Sequence, residues 1–278
     1  MIIALLPNNT KELAQNIAIK VSQFLKNRKV TVCMEDQIAA AYGVIPLSSV
    51  SHESIDFVIT MGGDGTILRQ IQHYPMISAP IMAINLGGLG FMADIPLDEI
   101  DASLENLLAG LYQIQSRVAM EGQMNHSSHF AVNEIVVHRA HNPCLIELAV
   151  YVDGHYLNTF SADGIIVATP SGSTAYSLSA GGPILTPELN ALVITPICPH
   201  TISNKPIVLM PKNEIVIEYL SFHQPVEITY DGFTYDMMST HEKLIIRPSA
   251  RSFRLVNMPD HDFFSTLRTK LEWKGQLK

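Results

Sequence analysis

The sequence predicts an α/β N-terminal domain, a mainly parallel sheet with flanking helices, followed by an all-β, sandwich-like C-terminal domain and a final helix packing back on the first domain. Three observations carry this. Up to about residue 115, short apolar runs alternate with segments of helical period, as in a parallel sheet covered by helices. Beyond that point the period is strand-like and turn signals are frequent, as in a sandwich. The stretch Phe263 to Trp273 then returns to a helical pattern. These changes place an α/β domain at 1–115, a β-rich domain at 116–257, and a segment at 258–278 that docks on the N-terminal domain.

In chain order, Ile2 to Leu6 reads as a strand, and Leu13, Ile17, Val21, Phe24 and Leu25 share one face of a helix. Val30 to Met34, Ile55 to Thr60 and Ile81 to Ile84 follow as strands, with a helix from Ile67 between the last two. Asp98 reads as the N-cap of a helix burying Ile100, Leu104, Leu107, Leu108 and Leu111. In the second region the strands expected are 130–138, 145–150, 155–160, 164–169, 191–195, 206–210, 214–219, 225–230, 243–247 and 252–257. Asp153-Gly154 supplies the positive-φ pair of a tight hairpin. Ser173 to Ala180 is placed on a short helix or loop.

Composition narrows the function. A chain of 278 residues with 47% apolar and 16% charged residues is a folded one, far from the regime of disordered chains. A net charge of −8 with only 18 Lys and Arg argues against a nucleic-acid partner, which demands clustered basic residues. Cys33, Cys144 and Cys198 are widely spaced and read as reduced thiols of a cytoplasmic protein. No apolar run approaches the roughly 18 residues of a spanning helix, and MIIALLPNNT reads as a first buried strand rather than a leader. No membrane partner is expected.

Three motifs carry chemistry. Strand 55–60 runs into Gly62-Gly63-Asp64-Gly65-Thr66 and then a helix. Glycines allow close backbone approach and a helix start attracts an anion, so Gly62, Gly63, Gly65 and Thr66 suit a phosphate. Asp64 inside such a turn suits a proton acceptor or a metal holder; alone, the run reads equally as a turn with Asp64 as a cap. The Lys of a Walker A loop is missing. The second motif is Ser161-Ala162-Asp163-Gly164, a strand, and Thr169 to Pro183, rich in hydroxyls and glycines. Such hydroxyls suit a base and two riboses, with Tyr176 able to stack, or the small residues serve a close-packed crossover. The third is Asn133-Glu134 inside an apolar strand, which marks a bulge, an edge or a ligand site, with an edge favoured on its own. His126 with His129, His138 with His141 and Cys198 with His200 have metal-like spacing but lack further ligands, and read as solvated loop residues. The methionines, Met237-Met238 included, read as core or gap-filling residues.

Together these motifs resemble the bacterial NAD kinase family over most of the chain. The match also takes in Leu89-Gly90-Phe91, His200-Thr201-Ile202-Ser203, Asp231-Gly232 and Thr266 to Trp273. The resemblance implies an α/β domain, a β-rich domain and a site between them. It implies transfer of the γ-phosphoryl of ATP to the 2′-hydroxyl of the adenosine ribose of NAD, with Mg²⁺ on the phosphates and Asp64 as the base. By the same resemblance Asp64, Gly65, Asn133, Glu134, Asp163, Ser171, Thr174, Ala175, Tyr176, Ser177, Leu178 and Ser179 line the NAD site, with Arg69 and Phe91 as neighbours. The metal ligands stay unassigned, and a homotetramer or homodimer is implied.

Many members of the family carry an arginine where Ser161 stands, a glutamine where Phe233 stands and an arginine where Lys205 stands. These departures bear on the distal half of the dinucleotide and on any preference between NAD and NADH. Two rivals share part of the pattern. One is a lipid kinase with the same glycine turn, which calls for an apolar entry or a basic membrane-facing patch. The other is a non-catalytic NAD sensor.

Overall fold

The computed structural model describes residues 1–88, 90–200, 204–210, 214–259, 262–273 and 275, with the backbone alone for Thr234 and Tyr235. The chain forms two compact units, Met1–Ser116 with Arg254–Lys278, and Arg117–Phe253.

In the first unit, β1 (Ile2–Pro7) is buried from Ile3 onward, as a strand covered on both faces requires. Helix α1 (Glu12–Asn27) buries Ala14, Ile17, Ala18, Val21 and Leu25, residues three or four apart on one face. There follow β2 (Thr31–Met34), α2 (Asp36–Tyr42), β3 (Ile45–Pro46), β4 (Phe57–Gly62), α3 (Asp64–His73), β5 (Ile81–Asn85), α4 (Ile100–Ala109) and β6 (Gln113–Arg117). The order β3-β2-β1-β4-β5 is parallel throughout. Gly62 and Asn85 are register partners, so β4 and β5 end side by side on the carboxyl edge, where open α/β sheets bind ligands.

Two expectations fail here. Asp98 lies in the 3-10 turn Leu97–Glu99, and no side chain caps α4. Leu111 is 59% exposed, because Gly110, with φ +75°, ends the helix before it.

The second unit is built from β7 (Met120–Met124), β8 (Ser127–Ala131), β9 (Glu134–His138), β10 (Ile146–Val152), β11 (His155–Ala162), β12 (Gly164–Ala168), the short α5 (Tyr176–Ser179), β13 (Leu192–Ile197), β14 (Ile207–Leu209), β15 (Ile215–Tyr219), β16 (Val226–Tyr230), β17 (Phe233–Met238) and β18 (Lys243–Pro248). Two sheets result, β11-β10-β15-β18-β7-β8 and β14-β13-β12-β9-β16-β17. Ile135, Val137, Ile165 and Val167 of the second sheet share one core with Leu148, Val150, Ile217 and Ile246 of the first. The opposite face of β9 and β12 buries Val136, Ile166 and Ala168, with Ala180 against them. Both faces of β12 are therefore covered, and it reads as an unbroken apolar run.

The expected strand 130–138 is instead two strands, β8 and β9, in different sheets, with the chain breaking at Val132 and Asn133. Strands β3, β6, β7 and β17 are additions to the sequence reading; β3 is only two residues long, and β6 and β7 carry few apolar residues. The chain returns to the first unit through β19 (Phe253–Asn257), which pairs in parallel with β5 and sits between β5 and β6. Helix α6 (Phe263–Lys270) is the last described helix, its N-terminus capped by Asp262, whose carboxylate accepts from the Ser265 N–H at 2.9 Å.

The hairpin between β10 and β11 has Asp153 at φ +52° and Gly154 at φ +77°. A side chain at the second position is strained in that region. Gly154→Ala is expected to lower stability by about 1 kcal/mol, read as a lower urea midpoint with an unchanged slope.

Candidate active site

The glycine turn after β4 leads directly into α3, whose cap position is Gly63 with no side-chain cap. The Thr66 N–H turns back to the Gly63 carbonyl at 2.8 Å. The amides of Asp64 and Gly65 belong to the first turn, where a helix has no acceptors of its own. Asp64 is not a cap. Its Oδ2 accepts the Phe91 N–H at 2.9 Å, and its Oδ1 accepts those of Met92 and Ala93 at 3.1 and 2.9 Å. A carboxylate offers about four lone-pair positions, so these bonds fix its plane and leave an acceptor position on Oδ2.

The segment it holds is tied down a second time by Asn85 at the end of β5. The Asn85 Nδ2 donates to the carbonyls of Ala93 at 2.7 Å and Gly88 at 3.1 Å, and its Oδ1 accepts the Gly87 N–H at 2.8 Å. Gly90 is obligatory in this arrangement, since a Cβ there would overlap the Asp64 carboxylate. The Phe91 ring lies 6.0 Å from that of Phe263 on α6, with Lys270 Nζ 5.1 Å from its centroid. Phe91 thus serves Asp64 through its backbone, and Arg69 stands exposed on α3. Sequence reasoning missed Asn85, whose one signal is a polar residue closing an apolar strand before two glycines.

In the second unit, Asn133 and Glu134 are buried at the break before β9. They are not on an edge, because β9 lies between β12 and β16. Asn133 Oδ1, Glu134 Oε2 and Ser171 Oγ are buried without a hydrogen-bond partner among the described residues. Such atoms are costly unless a ligand or water completes them. Burial, and then the neighbouring Asp231 carboxylate, push the Glu134 carboxyl up to about 8.

The Thr169 to Pro183 segment divides by role. The Thr169 hydroxyl donates to the Val132 carbonyl at 2.5 Å and its N–H to that of Asn133 at 2.9 Å. Gly172 follows so closely that a Cβ would overlap the Asn133 carbonyl, which brings Ser171 beside Asn133. The Ser177 hydroxyl is spent on Thr195 at 2.9 Å in the core. Thr174 donates to the Ser171 carbonyl at 3.2 Å. Tyr176 is 45% exposed, Ser179 is exposed, and Ala175 and Leu178 are half-buried. Asp163 is half-buried and paired with the Arg139 Nε at 2.7 Å, a partner the sequence did not signal.

Other readings need revision. His129 and His138 are not solvated loop residues; they lie on strands and face Asp236 at 3.4 Å and Glu227 at 3.3 Å. Met238 is fully buried, whereas Met237 is 48% exposed. Among the described residues no three His, Cys, Asp or Glu side chains converge to hold a metal. Leu89 and Thr201 to Ser203, part of the resemblance, lie outside the described residues. No described helix is long and apolar enough to cross a membrane.

Residues 3–112 match the ATP-NAD kinase N-terminal domain and residues 132–258 the ATP-NAD kinase C-terminal domain. The chain is 57% identical over 277 residues to the NAD kinase of Protochlamydia amoebophila strain UWE25, covering 99% of each. The chain belongs to the NAD kinase family. A Clostridium botulinum NAD kinase is 36% identical over 273 residues, covering 97% of this chain and 95% of the relative. The fold is shared with a yeast NADH kinase solved with NADH, at TM-score 0.88 and 24% identity over 100% of this chain and 89% of that one. It is shared too with an Archaeoglobus fulgidus NAD kinase solved with ATP, at TM-score 0.77 and 26% identity over 99% and 100% of the two chains.

The Glu134 carboxyl supplies a prediction about pH. Its value is raised from 4.5 to about 8 on folding, so between these limits the folded chain holds a proton that the unfolded chain releases. Stability from this group is complete below 4.5 and lost as the pH rises through about 8. Melting temperatures of Glu134→Gln and the parent should therefore diverge in favour of the variant across this window.

Proposed function

We propose that this chain is an ATP-dependent NAD kinase that transfers the γ-phosphoryl of ATP to the 2′-hydroxyl of the adenosine ribose of NAD, forming NADP. The observation that carries the reading is the Asp64 carboxylate, fixed by three amides at an uncapped helix start. The accessible lone pair on Oδ2 accepts the proton of the 2′-hydroxyl as its oxygen attacks the γ-phosphorus. The bond from that phosphorus to the bridging oxygen breaks, and ADP leaves. In phosphoryl transfer the protein's share is mainly positioning and charge stabilisation. The first-turn amides of α3, with the Gly62 to Thr66 backbone, supply that stabilisation to the donor phosphates.

The grip on NAD is assigned to the second unit. Asn133 Oδ1, Glu134 Oε2 and Ser171 Oγ are matched to hydroxyl and amide donors, which the riboses and the bases of a dinucleotide carry. Glu134, protonated near neutrality, also offers an O–H donor. Tyr176, exposed on α5, is assigned the stacking on a ring that an aromatic side chain can offer. The Ser177 side chain is left to internal packing. Mg²⁺ keeps much of its water and borrows phosphate oxygens, so we assign it to the substrate, as MgATP, and give it no resident carboxylate cage. The unpaired Cys33, Cys144 and Cys198 suit a reducing cytoplasm. A homodimer or homotetramer is expected by gel filtration with light scattering.

Incubating the pure protein with NAD, ATP and Mg²⁺ should yield NADP; NAD binding without product would favour a sensor, and phosphorylated lipid without NADP a lipid kinase. Asp64→Asn is expected to reduce kcat by about 10²- to 10⁴-fold, the usual worth of a general base. Near-parental turnover in a folded Asp64→Asn protein would remove Asp64 from that role.

A further inference from the structure

Asp231 and Gly232 have no part in the chemistry above, yet Asp231 makes a dense set of bonds to the segment carrying Asn133 and Glu134. Its Oδ1 accepts the backbone N–H groups of Val132, Asn133 and Glu134 at 3.1, 2.6 and 3.2 Å, and its Oδ2 accepts that of Val132 at 2.9 Å. Its own N–H returns to the Glu134 carbonyl at 2.9 Å. The residue is 6% exposed. It sits at φ +52°, followed by Gly232 at φ +84°, in the turn joining β16 to β17, where Tyr230 opposes Phe233. The hairpin turn thus carries a carboxylate to the point where the chain leaves β8 and enters β9.

For stability alone this is a poor choice. A second acidic group is buried beside Glu134 and adds to the burial that keeps the Glu134 carboxyl protonated near neutrality. The amide donors offset part of that cost. What the arrangement yields is a defined backbone at Asn133 and Glu134, each of which keeps a buried polar atom without a partner among the described residues. A side chain can aim at a ligand only as accurately as its backbone is held.

We propose that Asp231 is a positioning residue for NAD, which acts through the amides of Val132, Asn133 and Glu134 to aim the last two side chains at the dinucleotide. The proposal rests on the NAD kinase reading of this site. It separates Asp231 from a residue that merely stabilises the fold, because its loss must affect one substrate and spare the other.

The test compares Asp231→Ala and Asp231→Asn with the parent in melting temperature, NAD affinity by calorimetry, and KM for NAD and for ATP. Asp231→Ala is expected to weaken NAD binding by about 10- to 100-fold, as expected when ligand-directed groups lose their geometry, with KM for ATP unchanged. Asp231→Asn keeps one acceptor oxygen but turns an amide N–H₂ toward the Val132 N–H, and should fall between the two. A folded Asp231→Ala protein with parental NAD affinity, or one losing NAD and ATP alike, overturns the proposal. If Asp231→Ala does not fold, Asp231→Asn decides, and parental NAD affinity there is equally contrary. A parent that binds NAD but forms no NADP removes the kinase reading while the ratio of NAD affinities still judges Asp231. A parent that does not bind NAD overturns both.

Discussion

The structure depends on one recurring interaction, a carboxylate that takes the amides of three consecutive residues where the chain leaves regular structure. Asp64 does this for Phe91 to Ala93, and Asp231 for Val132 to Glu134. A buried backbone must find partners for its N–H groups, and a break beside a sheet leaves several at once. An ionised carboxylate can satisfy a run of them with charge-assisted bonds. In each unit the constraint shapes a segment to which the proposed chemistry is assigned, around the glycine turn in the first and around Asn133 and Glu134 in the second.

This bears on how binding energy is spent. Polar atoms left unsatisfied in the core are a cost that the rest of the second unit offsets through its shared apolar interior. Because the backbone around them is already held, a ligand completing their hydrogen bonds need not order it, and preorganisation of this kind favours affinity. Small residues of the Thr169 to Pro183 segment contribute by proximity. Gly172 lets Ser171 approach Asn133, and Ser177 ties α5 to Thr195 in β13. Packing is therefore one role of that segment, beside the recognition proposed for it.

Much of the fold was legible because it rests on local pattern. The fully apolar runs at Ile3 to Leu6 and Ile165 to Ala168 became buried strands, and Asp153-Gly154 became the expected hairpin. What failed was set by partners far away in sequence. Asn133-Glu134 reads as an edge because no nearby residue accounts for two polar positions. What interrupts the strand there is the hold of Asp231, 98 positions from Asn133, on the backbone amides of the break. Asp64 could be placed in a phosphate-type turn from its neighbours alone, but its amide partners stand 27 to 29 residues on. The residues proposed for the site could thus be named from the sequence, whereas their geometry could not.

Hydrogen exchange at individual amides tests the central claim most directly. In the protein without nucleotide, the N–H groups of Phe91, Met92 and Ala93 and of Val132, Asn133 and Glu134 should exchange as slowly as those of the adjoining strands, although most lie outside the ladders. Exchange of these amides at the rate of solvent-exposed loops would show that the carboxylates do not hold these segments in advance, and would contradict the account.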